Sequence, residues 1–223
     1  MADKKEKILI KIINNNLSLQ DIISYGYIYI QKKLSGFIGT LLLRMKGILF
    51  GIELGRAVVC YGPIHIMRSP KSEIRIGNNV SIVSSSKRCT ASSLYAPTKL
   101  RTWSKSAKII IEDDVGLNGT SISARSKTVR IGSGTMIAPN VVIMDSDYHA
   151  LWPPENRIVN PAFERDKDII IGKNVWIGSS CIILKGVNIG DNSVIAAGSI
   201  VVKDIPSNVL AGGIPAKVIR NLP

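Results

Sequence analysis

An aliphatic residue stands at every sixth position through much of the second half of this chain: Ile171, Ile177, Ile183, Ile189, Ile195 and Val201. Written in units, the run reads IGKNVW, IGSSCI, ILKGVN, IGDNSV, IAAGSI, VVKDIP, without a slip. A period of six fits neither the 3.6 spacing of an amphipathic helix nor the plain alternation of a lone strand. Three such units make a turn of about 18 residues, in which each short strand sends one aliphatic side chain inward and each turn stacks on its neighbours. The register recurs at Ile131, Ile137 and Ile143, at Ile111 and Leu117, and at Ile76 and Ile82, and it fits Val58 and Ile64 more loosely. The expected fold class is therefore all-β, a parallel β-solenoid.

Composition agrees with thin, repetitive packing. Hydrophobic residues make up 45% of the chain but aromatics only 5%, so the core must be built from Ile, Val, Leu and Ala. The 223 residues are enough to bury such a core without metal or disulfide. Cys60, Cys89 and Cys181 are odd in number and lack CxxC spacing, which argues against a disulfide framework or a zinc site and for a reducing cytoplasm. The start, MADKKEKILIKIINNNLSL, is basic but broken by Lys11 and three asparagines, and reads as no secretory leader.

The register breaks twice. Between Ile143 and Ile171 the step is 28 residues, and the inserted segment, taken as a loop over 148–168, begins with YHALWPPENR. Between Ile82 and Ile111 lies SSSKRCTASSLYAPTKLRTWSKSAK, which reads as either an irregular turn or a protruding arm. Six cations of this segment (Lys87, Arg88, Lys99, Arg101, Lys105 and Lys108) accompany Tyr95 and Trp103, with no acid. The whole net charge of +13 resides in the first 130 residues, since 131–223 hold eight cations and eight acids. Such a basic face suggests an anionic partner, although solvated charge is the commoner reason for it.

Residues 1–57 do not repeat. LSGFIGTLLLRMKGILFGIEL is apolar, yet Arg44, Lys46 and Glu53 make it a poor membrane span. It reads as a partly helical cap on the open end of the coil, with peripheral membrane contact through the basic N-terminal segment as the lesser reading. The remaining division is a β-helix domain over 58–206 and a tail over 207–223.

The repeats resemble those of the hexapeptide-repeat acyltransferases, and the resemblance covers roughly residues 58 to 220. It implies a left-handed β-helix; the spacing alone says nothing of handedness. IIIGKNVWIGSSCIILKGVNIGDNSVIAAGSIVVKDIPSNVLAGGIPAKVIRNLP is similar to the C-terminal signature of the members that use acetyl-CoA. By that resemblance Trp176 and Ser179 line the thioester end of a groove, with the Ser179 N–H as an oxyanion donor. Ala197 lets the pantetheine arm lie close, and Lys203, Lys217 and Arg220 meet the CoA phosphates. The tail would thus contribute to the CoA site.

His149 heads the inserted loop, and the resemblance gives a histidine so placed the role of general base toward the acceptor. Asp145 or Asp147 would fix its tautomer. Trp152 and Arg157 are candidate walls of the acceptor pocket, and Asn118 in GLNGTSI is similar to a substrate-contacting asparagine of the galactoside branch. His65 reads as structural, and Cys181, at a small inward position, as no nucleophile. Two histidines cannot supply the three ligands of the β-helix carbonic anhydrases, so no catalytic metal is expected.

The function implied is acetyl transfer from acetyl-CoA to a sugar hydroxyl of a bacterial-type surface polysaccharide or its precursor, in lipopolysaccharide or capsule, by a cytoplasmic homotrimer. Alternatives are N-acetylation of an amino sugar or a xenobiotic. A nucleic-acid-binding module using the basic face is a third reading, which leaves the acetyl-CoA signature unexplained.

Overall fold

In the computed structural model, residues 17–89 and 91–223 are described. Lys4, Lys5, Lys7 and Lys11, the basic start on which the leader and membrane readings drew, lie outside them.

The hexad spacing becomes a three-walled prism. Wall A stacks Glu53–Leu54, Glu73–Ile76, Lys108–Ile111, Thr128–Ile131, Ile169–Ile171 and Asn188–Ile189. Wall B stacks Val59–Tyr61, Ser81–Val83, Gly116–Asn118, Met136–Ile137, Trp176–Ile177 and Val194–Ile195. Wall C stacks His65–Met67, Lys99–Thr102, Ser121–Ala124, Val142–Met144, Ile182–Leu184 and Ile200–Val201. All these pairings are parallel, and they keep like residues in line. Ile131 sits on Ile171 and then Ile189, Ile137 on Ile177 and then Ile195, and Ile143 on Ile183 and then Val201. Each of these side chains is fully buried. Burial of one such aliphatic side chain contributes about 1.5–3 kcal/mol, so regular stacking alone can hold the coil.

The corners are tight, and several are turned by residues in the left-handed backbone region, among them Asn79, Asp114, Asn140, Asn174, Asn192 and Asn208. Asn and Asp tolerate that conformation better than other side-chain-bearing residues. Their side chains bond to the next corner, Asn174 to Asn192 at 3.2 Å and Asn192 to Asn208 at 3.0 Å.

In the first turn the aligned positions are Leu54, Cys60 and Ile66, which pair with Ile76, Ile82 and Leu100. Val58 and Ile64 are also buried but are offset by two positions from this register, which is why the six-residue count fitted them only loosely. The second irregular segment resolves into two parts. Lys99–Thr102 and Lys108–Ile111 are ordinary wall strands, and only 84–98 leaves the coil, at the B–C edge. The six cations therefore form no single arm. Lys108 lies on wall A beside Glu73, 3.2 Å away, and Arg101 covers the Trp103 ring.

One helix, α1 (Leu19–Phe50), caps the open end. Ser18 and Asp21 form a capping box at its start, and Gly51 in the left-handed conformation ends it. Leu43 plugs the core, while Gly36, Gly39 and Gly47 let the helix lie on the first turn. At Gly39 a Cβ would stand 2.3 Å from the Cys60 carbonyl oxygen, so only glycine fits. The Thr40 hydroxyl accepts from the Cys60 N–H at 2.9 Å. At the other end, Val209–Gly213 and Ala216–Asn221 form an antiparallel hairpin that extends wall B.

Candidate active site

The inserted loop leaves wall C after Met144 and rejoins wall A at Ile169, so it stands on the C–A edge. Two short 3₁₀ turns, Pro154–Arg157 and Phe163–Arg165, punctuate it. Its fixed point is Arg125, at the same edge one turn below. The guanidinium is buried and binds the Asp166 carboxylate through Nε at 2.9 Å and Nη2 at 2.6 Å. It also donates to the carbonyls of Pro161 and Ala162, and it faces the rings of Phe163 and Tyr148. Burial raises the Asp166 pKa, but hydrogen bonds from Arg125, Ser126 and Ser146 outweigh it, and the carboxyl lies below the ordinary aspartate range.

Tyr148 turns the chain with φ 66° and bonds Ser123, while Trp103 packs edge-on against its ring and donates to the same hydroxyl. His149 follows on the exposed side. Its Nδ1 is 2.6 Å from the Arg157 carbonyl oxygen. A carbonyl only accepts, so Nδ1 carries the proton in this contact, and in the neutral ring that tautomer puts the lone pair on Nε2.

This corrects the expected orienter. Asp145 is wholly buried and accepts the backbone N–H groups of Arg125, Ser126 and Lys127, so it builds the corner rather than touching the imidazole. Burial pushes its carboxyl up against the pull of those donors. Asp147 points to Lys185 and, at 3.9 Å, Arg165. Neither bonds His149. Arg157 orients it, through the main chain, and the Arg157 guanidinium reaches back to the Leu151 carbonyl at 3.3 Å. Trp152 is 78% exposed and lines none of the described cavities that the groove residues below share.

The second element is a groove of about 500 Å³ along wall B and its edge with wall C. Asn118, Met136, Trp176, Ser179, Val194 and Ala197 line it, and Cys89 and Ala91 from the 84–98 excursion close one side. Four residues picked from the sequence thus meet in one cavity. Asn118 donates its amide to the Ile137 carbonyl at 2.8 Å, which fixes the side chain at the groove wall. The Ser179 N–H has no acceptor among the described residues, nor has the N–H at the matching place one turn on, Ala197. Two unspent donors beside a mostly apolar wall suit a carbonyl or amide of a long, thin ligand.

Lys203, Lys217 and Arg220 do not line this groove. Lys203 follows the last strand of wall C, and the other two are exposed on the terminal hairpin, beyond the groove's end. No residue of the inserted loop lines it either, so His149 and the groove occupy different edges of one chain. Cys181 is fully buried, with its thiol pushed up by burial, and Cys60 lies at about 12 for the same reason. Among the described residues no three His, Cys, Asp or Glu side chains gather into a metal site.

Residues 168–203 match the family described as hexapeptide repeat of succinyl-transferase. The galactoside O-acetyltransferase of Escherichia coli K12 is 48% identical over 95 residues, which cover 43% of this chain and 45% of that protein. Over the matched stretches the chain is similar to hexapeptide-repeat acyltransferases. The galactoside O-acetyltransferase of Lactococcus lactis is 44% identical over 92 residues, 41% of this chain and 42% of that protein. The matched stretch spans less than half the length of these two relatives. An N-acyltransferase of Bacillus cereus, solved with dTDP and 3-hydroxybutyryl-CoA, superposes over 81% of this chain and 88% of its own, with TM-score 0.60 and 18% identity. At that identity the likeness speaks for the fold alone, a left-handed β-helix.

Proposed function

We propose that the protein transfers acetyl from acetyl-CoA to a sugar hydroxyl of a surface polysaccharide or its precursor. The observation that carries this reading is the groove in which Trp176, Ser179, Ala197 and Asn118 meet, with two free N–H groups on its wall. Its mostly apolar lining with two N–H donors fits a pantetheine arm, and the Ser179 N–H would receive the charge that develops on the thioester oxygen. The two galactoside O-acetyltransferases among the relatives favour a sugar hydroxyl over an amine.

His149 is the base in this reading. Nε2 takes the proton as the acceptor oxygen bonds to the acyl carbon; the carbon–sulfur bond breaks, and the imidazolium returns the proton to the departing thiolate. Arg157, by holding Nδ1, keeps the ring in the tautomer that the step requires. Because base and groove stand on different edges of the prism, a complete site needs a second copy of the chain, and we propose a homotrimer with sites between neighbours.

The test is release of CoA thiol from acetyl-CoA across a panel of glycans and amino sugars. His149→Ala should lower kcat by about 10²–10⁴-fold, the usual worth of a general base. Full activity in that variant would overturn the mechanism, and turnover of amino sugars alone would overturn the acceptor. Mixed trimers of His149→Ala with a groove variant such as Ser179→Pro should regain activity, because some interfaces then pair an intact groove with an intact histidine. Absence of any recovery would rule out the shared site.

A further inference from the structure

Helix α1 seats Gly36, Gly39, Leu43 and Gly47 on the coil and turns a different face outward. On that outer face Ile23, Ile30, Leu34, Phe37, Leu41 and Ile48 are between 50 and 84% exposed. No charged residue falls within the stripe they form, which runs along about 40 Å of helix at 1.5 Å per residue. Monomeric proteins seldom leave a contiguous apolar strip of this length to water. The coil does not need it, since the small-residue face makes the contacts with the first turn.

The charges beside the strip select what covers it. Lys33 and Arg44 border the strip along one side, Lys32 is exposed farther round the helix, and the helix's one acid, Asp21, is held in the N-terminal capping box. Lys87 and Arg88, from the excursion at the B–C edge, share a cleft with Tyr27, Gln31 and Lys32, so cations also stand on the other side of the strip. Two copies meeting through the strip would bring these cations together with no acid on the helix beyond Asp21 to answer them. A lipid headgroup layer supplies the missing negative charge, and its acyl boundary takes the aliphatic side chains. No described helix is long and apolar enough to cross a membrane, so α1 would lie in the plane of the surface.

We infer that the outer face of α1 docks the protein on an anionic phospholipid surface. The inference rests on neither His149 nor the groove and survives or fails without them.

The test is flotation of the full chain with vesicles of phosphatidylcholine alone or with added phosphatidylglycerol. Partition onto the anionic vesicles should be at least about tenfold stronger and should weaken as NaCl rises to about 0.5 M. Ile30→Asp/Phe37→Asp/Ile48→Asp should abolish it while leaving CoA-thiol release and the melting curve unchanged, because those side chains are exposed on the helix face opposite Gly36, Gly39 and Leu43. Lys32→Glu/Lys33→Glu/Arg44→Glu, which keeps the apolar strip, should remove the preference for anionic lipid. The inference is overturned by protein that fails to float with either vesicle or by equal partition onto both. It is also overturned if the triple aspartate variant dissociates an oligomer without altering flotation, which would make the strip an interface between copies.

Discussion

Arg125→Ala tests whether the inserted loop is held by one buried cation. The substitution removes two bonds to Asp166 and leaves that carboxylate, with a side chain wholly shielded from water, without its countercharge. It also strips the donor from the carbonyls of Pro161 and Ala162. Breaking one partner of a buried pair costs about 3–5 kcal/mol. The cost should not appear in global stability, because the loop lies outside the stacked walls and Val129 still sits on Ile169 when it detaches. It should appear as local opening, in which the freed carboxylate and carbonyls regain water.

Hydrogen exchange reads this directly. The amides of Ala150, Asn160 and Lys167 bond only within the loop or to its base, at 3.0, 2.8 and 3.2 Å. In Arg125→Ala their protection should fall by roughly 10²-fold to 4 × 10³-fold, which is the conversion of 3–5 kcal/mol at 1.4 kcal/mol per tenfold, capped by the loop's own docking energy. Amides of 170–200 should change little. Asp166→Ala alone should lose nearly as much, and the double variant scarcely more than either single one, since both remove the same contact. Additive losses, or protection within about threefold of the wild type, would refute the clamp.

Ser179→Pro should fold normally, because Pro139 already occupies the matching corner one turn below and the Ser179 N–H has no acceptor among the described residues, yet kcat should fall by about 10²–10³-fold if that N–H stabilises the oxyanion. Thiol release separates this from a binding defect, which would raise KM alone. Gly39→Ala should cost about 1–3 kcal/mol, seen as a lowered melting temperature, because its Cβ would meet backbone at 2.3 Å, whereas Gly26→Ala, with open space around it, should stabilise the helix by about 0.5–1 kcal/mol. Acid should release the loop before the coil melts. Asp166 titrates below its ordinary value in the folded protein, so its contribution is full above about pH 4 and is lost as pH falls through the lowered pKa. Amide exchange of 148–166 against 170–200, followed downward from pH 5, checks that order.

The coil was legible because each inward position of a solenoid faces little besides its counterpart one turn away, so its side chain is chosen by one local rule. That rule weakens at the first turn, where Leu43 of the helix, rather than another turn, fills the end and the inward register passes through Leu54, Cys60 and Ile66. It weakens again at 84–98, where Ser and Thr serve both corner and excursion and the buried Ser84 and Thr98, at its two ends, face the interior. The groove residues Trp176, Ser179 and Ala197 were legible for the same reason as the core: their spacing within the repeat puts them on one edge. Met136 and Val194 stand at the same place as Trp176 in neighbouring turns, so the register already carried the signal that would have found them.

The loop obeys no such rule. Asp145 and Asp147 lie within four residues of His149, which makes either a natural orienter on paper, but the left-handed turn at Tyr148 sends the ring away from both and toward a carbonyl eight residues on. A main-chain acceptor leaves no mark in the identity of its residue, so Arg157 could be singled out only for its side chain. Arg125 was invisible for a related reason. Its partners lie 36 to 41 positions away, across the insertion, and nothing in SARSKT distinguishes a cation that pins a loop from one that faces water. Repeats therefore disclose what they repeat, whereas the single long-range contacts that hold an interruption in place must be read from the folded chain. The exchange behaviour of Arg125→Ala is where that distinction becomes measurable: a residue that no spacing singled out should govern the loop, while the regular turns beside it stay closed.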